Sequence, residues 1–265
     1  MSEGAWERVA THGDGSWYLD PLAAEQKRLS HLALLRDWSP GAPPGPILKT
    51  DLFEEANGRD ELISSFPAGA TVIGMDVAPT TVASARDRSG RAAAHFVVAD
   101  SRRLGLAAAS IAIVFSNSTL DHFETREELA ASIRELVRVL RPGGRLIVTL
   151  DNPKNPLYGL LRWACRRGLA PFVLGQTASI DELTELMRDE GLEVAGTAFL
   201  IHNPRLISTA VFLALRRVFG RYADLPVRLL LALFAQLGRL PTRGYTACFI
   251  AACGRKETSG GSSPC

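Results

Sequence analysis

Between Pro46 and Leu150 short β-branched runs alternate with longer amphipathic stretches. Few chains can do this without building a parallel sheet with crossover helices. The pattern predicts strands over residues 47–50, 71–75, 96–99, 111–115 and 145–150. Their nearly continuous apolar character fits strands covered on both faces. The clearest helix is 126–140, where Leu129, Ile133, Leu136, Val137 and Leu140 recur at helical spacing. Thr125 and Glu128 form a candidate capping box there, and Pro142-Gly143-Gly144 ends the helix and turns into the next strand. A second capping box, Ser179 with Glu182, opens a helix over 180–190 that stops at Gly191, with a strand expected over 192–201. Upstream, Asp20-Pro21 starts a helix to about Trp38 with Leu29, Leu32 and Leu35 as its buried stripe. The Pro- and Gly-rich segment 39–46 follows as a stiff linker.

The balance of 30 basic against 28 acidic side chains leaves a formal charge of +2, which excludes a globally basic nucleic-acid coat. With 46% hydrophobic and 22% charged residues the chain can bury a core. Cys165, Cys248, Cys253 and Cys265 have no CxxC spacing, so they read as reduced thiols with no metal site among them. Residues 1–8 lack the basic stretch and apolar run of a secretory leader, and no apolar run reaches the roughly 18–20 residues of a membrane span. The expected location is cytoplasmic, with a peripheral position at the inner membrane surface as a variant. Three parts are expected: an N-terminal helical extension and linker (1–45), a main α/β domain (46–255) and a disordered tail (256–265).

In an open parallel sheet ligands bind beyond the carboxyl ends of the strands. Asp76, followed by Val77, ends the second strand, where a carboxylate can accept from the vicinal hydroxyls of a ribose. Asp100-Ser101 follows the third, placed to accept from an adenine amino group. Ser116 to Thr119 and then Asp121 and His122 follow the fourth. A lone Asp after a strand is most often a turn or cap residue. Three successive polar strand ends point instead to a nucleoside cofactor.

These residues, with the helix-turn-strand piece 134–150 and above all Leu136-Val137-Arg138-Val139-Leu140-Arg141-Pro142-Gly143-Gly144-Arg145-Leu146, resemble the class I S-adenosylmethionine-dependent methyltransferases over about 46–201. The resemblance implies a Rossmann-like sheet of seven strands with helices on both faces, the last strand antiparallel (here 245–253), and S-adenosyl-L-methionine as cofactor. One place departs from the family. Its first loop is glycine-rich, whereas 47–58 here holds a single late glycine. Under one reading Asp51 or Glu55 accepts from the ammonium of the cofactor's methionine part, while Thr50 and Asn57-Gly58 shape the loop. Under the other the chain is a non-catalytic cofactor-binding or interaction protein with the same fold. A dinucleotide oxidoreductase is disfavoured because no Gly-x-Gly-x-x-Gly follows the first strand.

For methyl transfer the protein must align acceptor and methyl group, and a base is needed only for a protonated acceptor. His122 and Asp121 are the candidate catalytic residues, with Tyr158 and His202 as weaker ones. No Asn/Asp-Pro-Pro-aromatic tetrad ends the fourth strand, which sets aside base methylation and leaves a small or lipid-like acceptor methylated at oxygen or carbon. Within 202–244, two apolar helices over 207–222 and 226–240 are added before the last strand. The second would reach roughly 22 Å, short of the ~30 Å hydrocarbon core, so it does not span. It is a lid, a homodimer interface or a foot for peripheral membrane contact through 207–240. Phe199 to Tyr245 hold seven arginines and one acid, a surplus of six that leaves −4 on the remainder. Arg162, Arg166 and Arg167 add a second basic, apolar stretch.

Overall fold

The computed structural model describes residues 20–57, 60–167 and 174–258. Helix α1 (Pro21–Trp38) leads through the linker to β1 (Ile47–Thr50) and the short α2 (Phe53–Asn57). Then come β2 (Val72–Asp76), α3 (Pro79–Arg88), β3 (Ala94–Val98), β4 (Ile111–Asn117), α4 (Arg126–Val139) and β5 (Leu140–Asp151). The rest is α5 (Tyr158–Arg166), α6 (Ile180–Asp189), β6 (Leu192–Leu200), α7 (Arg205–Phe219), α8 (Asp224–Leu237), α9 (Arg243–Thr246) and β7 (Phe249–Lys256).

The strands form one sheet in the order β3-β2-β1-β4-β5-β7-β6. The first five run parallel and β7 is antiparallel to both β5 and β6. The order reverses between β1 and β4, so the crevice beyond these two strands is where such a sheet receives a ligand. One core cluster joins Leu129, Ile133 and Leu136 of α4 to Leu183 and Met187 of α6. The other joins Leu34 and Leu35 of α1 to Val82 and Ala85 of α3. Thus both faces of the central strands are covered, as their unbroken apolar sequences require. The exception is β3 at the sheet edge, where Val97 and Val98 are exposed.

Both caps form, in different ways. Ser179 and Glu182 make the full reciprocal box. Thr125 accepts from the Glu128 N–H at 3.2 Å, while the Glu128 carboxylate accepts from the Glu124 N–H and pairs with Arg102. The Pro-Gly-Gly segment is a wide bulge inside β5: Ile111 faces Leu140 and Ile113 faces Arg145, so four residues bulge opposite Ala112. A Cβ on Gly144 would lie 2.8 Å from the Arg141 carbonyl oxygen and 2.9 Å from that of Ala112. Gly144→Ala is therefore expected to cost about 1–3 kcal/mol, read as a lower urea midpoint at unchanged slope.

Three expectations are corrected. The last strand begins at Phe249, because residues 243–246 form α9. The added helices start and end two to three residues early, with a 3-10 turn over Gly220–Tyr222 between them. And α1 buries Ala24, His31, Leu34 and Leu35, while Leu29 is 53% exposed. The stripe was misplaced because polar Lys27 and His31 belong to the inward face. His31 sits edge-on to Phe115 and Phe249, and Lys27 reaches Glu54 at 3.0 Å and Asp60 at 2.7 Å. Tail residues 259–265, Gly58, Gly168 and residues 1–19 lie outside the described residues.

Candidate functional site

At the carboxyl end of β1 the chain turns through Asp51, a non-glycine residue at φ 65°, the left-handed region. Its carboxylate accepts from the Phe53 N–H at 2.7 Å, and this local bond favours the turn. Asp76, at the end of β2, holds the turn from the other side. One of its oxygens accepts from the Leu52 N–H and the other from the Ala78 N–H, each at 2.9 Å. An ionised carboxylate has about four lone-pair positions, so acceptor capacity remains for hydroxyl groups. Burial raises the Asp51 carboxyl well above its usual range, and the nearby Glu54 and Asp76 charges raise it further.

Beneath this turn lies a buried charge network. Lys49 is wholly buried and donates to Glu55 at 2.9 Å and to the Asp51 carbonyl at 2.5 Å, with Glu54 3.7 Å away. Burial alone would lower the lysine pKa, but Glu55, Glu54 and Asp51 raise it above normal. Glu54 also accepts from Lys27 and from Asn117 Nδ2, each at 3.0 Å. Glu55 accepts from Lys49 and from the Leu62 N–H at 3.2 Å, so it faces the interior of the network. Thr50 and Ser116, both wholly buried, share a hydrogen bond of 3.0 Å, and Thr50 also meets Thr119 at 2.6 Å. These hydroxyls tie the end of β1 to that of β4. Asp100 accepts from the Arg102 main chain and guanidinium, and Ser101 is buried against Ser132. Val77 lies between Asp76 and the Ala78 N–H that Asp76 fixes.

Beyond β4 and β5 a second group assembles. Asp121 is 1% exposed; one oxygen accepts from the Asp151 N–H at 2.8 Å, and the other accepts no hydrogen bond and lies 3.8 Å from His122 Nε2. Burial raises the Asp121 carboxyl to about 6, His122 opposing and Asp151 adding to the shift. Asp151 pairs with Arg205, whose guanidinium stacks 4.1 Å over Phe249. Next to this pair a shallow, open cleft is lined by Asn152, Asn155, Leu157, Tyr158, Leu161, Arg205, Leu206 and Cys248. Burial, with the Asp151 and Asp121 charges, raises the Tyr158 hydroxyl pKa, which keeps it a protonated donor. The sequence reading placed Asp121 and His122 but missed Asp151 and Arg205, which are 54 residues apart and meet only through β7 pairing. His202 is drawn to Thr246 Oγ1 at 2.8 Å.

The strand order and the polar strand ends are those of the class I S-adenosylmethionine-dependent methyltransferase fold. Residues 57–148, about a third of the chain, match the family model described as Methyltransferase domain. A malonyl-[acyl-carrier protein] O-methyltransferase of Methylococcus capsulatus is 33% identical over 128 residues, 48% of this chain and 45% of that protein. The chain thus matches less than half the length of that relative. A SAM-dependent methyltransferase of Thermotoga maritima, described as a possible histamine N-methyltransferase, superposes with TM-score 0.60 at 16% identity, over 97% of this chain and 100% of the other. Phosphoethanolamine N-methyltransferase 2 of Haemonchus contortus, in complex with phosphomonomethylethanolamine and S-adenosylhomocysteine, does so with TM-score 0.61 at 14% identity, over 97% and 61%.

The residues present fit the cofactor that this class implies. Asp76 retains acceptor capacity at the switch point of the sheet. The adjacent turn carries Asp51, and Glu54 lies in the network beneath it with Oε2 accepting no hydrogen bond. Such an acid-rich crevice suits a nucleoside whose sulfonium and ammonium are positive.

Proposed function

We propose that the chain is an S-adenosylmethionine-dependent methyltransferase acting on a small or lipid-like acceptor at oxygen or carbon. The observation that carries this reading is the Asp76 carboxylate fixing the Asp51–Phe53 turn at the switch point, with the Asp121–His122 pair and an open cleft beyond β4 and β5. Bound there, the cofactor supplies an electrophilic methyl group on a sulfonium. Asp76 and Val77 would hold the ribose side, and Asp100 and Ser101 the base. Asp51 meets the positive end, over a floor made by Thr50, Ser116 and Glu55. His122 would take the proton of an acceptor hydroxyl at its imidazole nitrogen. Asp121 then stabilises the imidazolium. The relative named as an O-methyltransferase supports oxygen as the acceptor atom.

Calorimetry with S-adenosylmethionine tests the binding half. Wild type is expected to bind, and Asp76→Ala to bind roughly ten- to a hundredfold more weakly, since hydrogen bonds to a charged group are lost. Asp76→Asn, which keeps one acceptor oxygen, should fall between. Unchanged affinity in Asp76→Ala would remove the assignment. A second reading, a non-catalytic binding protein, rests on the Lys49 network that stands where the family has a glycine-rich loop. Transfer of labelled methyl from cofactor to a lipid or small-molecule extract separates the two, since a binding protein labels nothing.

A further inference from the structure

Of the seventeen large apolar side chains exposed among the described residues, eleven lie between Ile207 and Tyr245. They form stripes. On α7, Ile207, Val211 and Val218 recur at spacings of four and seven residues, and on α8, Leu225, Leu229 and Leu233 recur at four. Val218 is 74% exposed, Leu225 66% and Leu229 62%. The opposite sides of the same helices are already satisfied: Phe212, Val227 and Leu231 pack with Ala23 in a core of their own. Among the described residues nothing covers the outward stripes.

Charge selects what covers them. Arg217 and Arg228 are exposed on the two helices, Arg221 on the turn between them and Arg239 just past the end of α8. Asp224 is the one acid of this segment, and it pairs with Arg216, which Asp20 also holds. A two-fold contact between copies of this face would set arginines against arginines with only Asp224, already paired with Arg216, as a carboxylate between them. A bilayer with anionic headgroups offers instead an apolar interior for the leucines and negative charge for the guanidiniums. The neighbouring α5 continues the pattern with exposed Leu160 and Trp163, and the cleft opens between α5 and the start of α7, where Tyr158 and Arg205 line it. No helix among the described residues is long and apolar enough to cross a membrane.

We propose that the outer faces of α7 and α8, continued by α5, dock the protein on the surface of an anionic lipid bilayer. The docking is independent of methyl transfer, because vesicle binding requires neither cofactor nor acceptor. Co-sedimentation of the full chain with phosphatidylcholine vesicles, with and without phosphatidylglycerol, provides the test. Wild type is expected to pellet with the mixed vesicles at low salt and to be released by high salt. Arg228→Gln with Arg239→Gln should weaken partitioning on the order of 25-fold, about fivefold per arginine. Leu229→Ser with Leu233→Ser should weaken it more than tenfold. Unchanged circular dichroism and denaturation midpoints show that these exposed positions leave the fold intact. The proposal is overturned if folded wild type stays in the supernatant with mixed vesicles at low salt. It is equally overturned if binding ignores both pairs of substitutions, or if the leucine pair abolishes only a concentration-dependent self-association.

Discussion

Lys49→Met is expected to lower the unfolding free energy by about 3–5 kcal/mol, the cost of removing one partner from a buried ion pair. This is a large part of the roughly 5–15 kcal/mol that a domain has. The lysine is wholly buried, and its ammonium is the cation beside Glu55, while Glu54 keeps Lys27. Methionine fills the volume but leaves Glu55 charged in the interior. The loss should depend on pH with a definite sign. In the variant the folded-state pKa of Glu55 lies above its unfolded value, so the native state binds more protons and stability rises as pH falls below neutral. Urea denaturation at pH 8 and pH 5 should show a smaller deficit at the lower pH. Lys49→Met with Glu55→Gln should recover part of the loss at both. A deficit independent of pH would mean that packing, not charge, is what Lys49 supplies.

This network was the least legible part of the sequence, for a physical reason. Local propensity and periodicity identify elements whose residues interact within one helix or strand. The capping residues Ser179 and Thr125, the apolar spacing of α4 and the strand runs are of that kind, and they appear where expected. Lys27, Lys49, Glu54, Glu55 and Asp60 are charged residues that become interior only because they neutralise one another across α1, β1, α2 and the segment after it, and His31 joins them as a ring that burial keeps neutral. A hydrophobic-stripe argument assigns each to the surface, which is how Leu29 was turned inward in place of Lys27. The Asp51 turn is similar. A left-handed residue after β1 usually announces itself as glycine, and here an aspartate adopts that conformation with its own carboxylate capping Phe53.

The candidate site was legible where chemistry sits directly at a strand end, and not where it is brought in by a distant segment. Asp76 ends β2, Ser116 lies in the last residues of β4, and Asp100 and Asp121 follow β3 and β4. Arg205 follows a long excursion through α6 and β6, and nothing near Pro204 announces that it will seal Asp151 against Phe249. The basic, apolar helix pair was visible as composition. Which of its faces stays outward depended on the small core of Phe212, Val227 and Leu231, and that core needs the start of α1 to complete it.

Asp121→Asn is expected to reduce kcat roughly 10²–10⁴-fold on an acceptor found by labelled-methyl transfer, the scale of the general-base catalysis that His122 performs with Asp121 stabilising its protonated form. Asparagine can still accept from the Asp151 N–H through its amide oxygen, so the fold and the affinity for S-adenosylmethionine should persist. The pH profile distinguishes a role in the reaction from a structural one. With Asp121 titrating at about 6, wild-type kcat should rise as pH increases through that value, and the variant should lose this limb. Stability should move in the opposite direction. Because the folded-state pKa lies above the unfolded one, the native state binds more protons between pH 4 and 6, and ionising Asp121 lowers stability as pH rises through that window. At pH 7 and above the asparagine variant should therefore be at least as stable as wild type. A buried carboxylate oxygen that accepts no hydrogen bond and destabilises the fold at neutral pH has no structural justification, and the adjacent His122 gives it a chemical one. His122→Ala should lose the same rate without the gain in stability. If Asp121→Asn retained both kcat and the rise through pH 6, the residue would be reduced to an anchor for the end of β5.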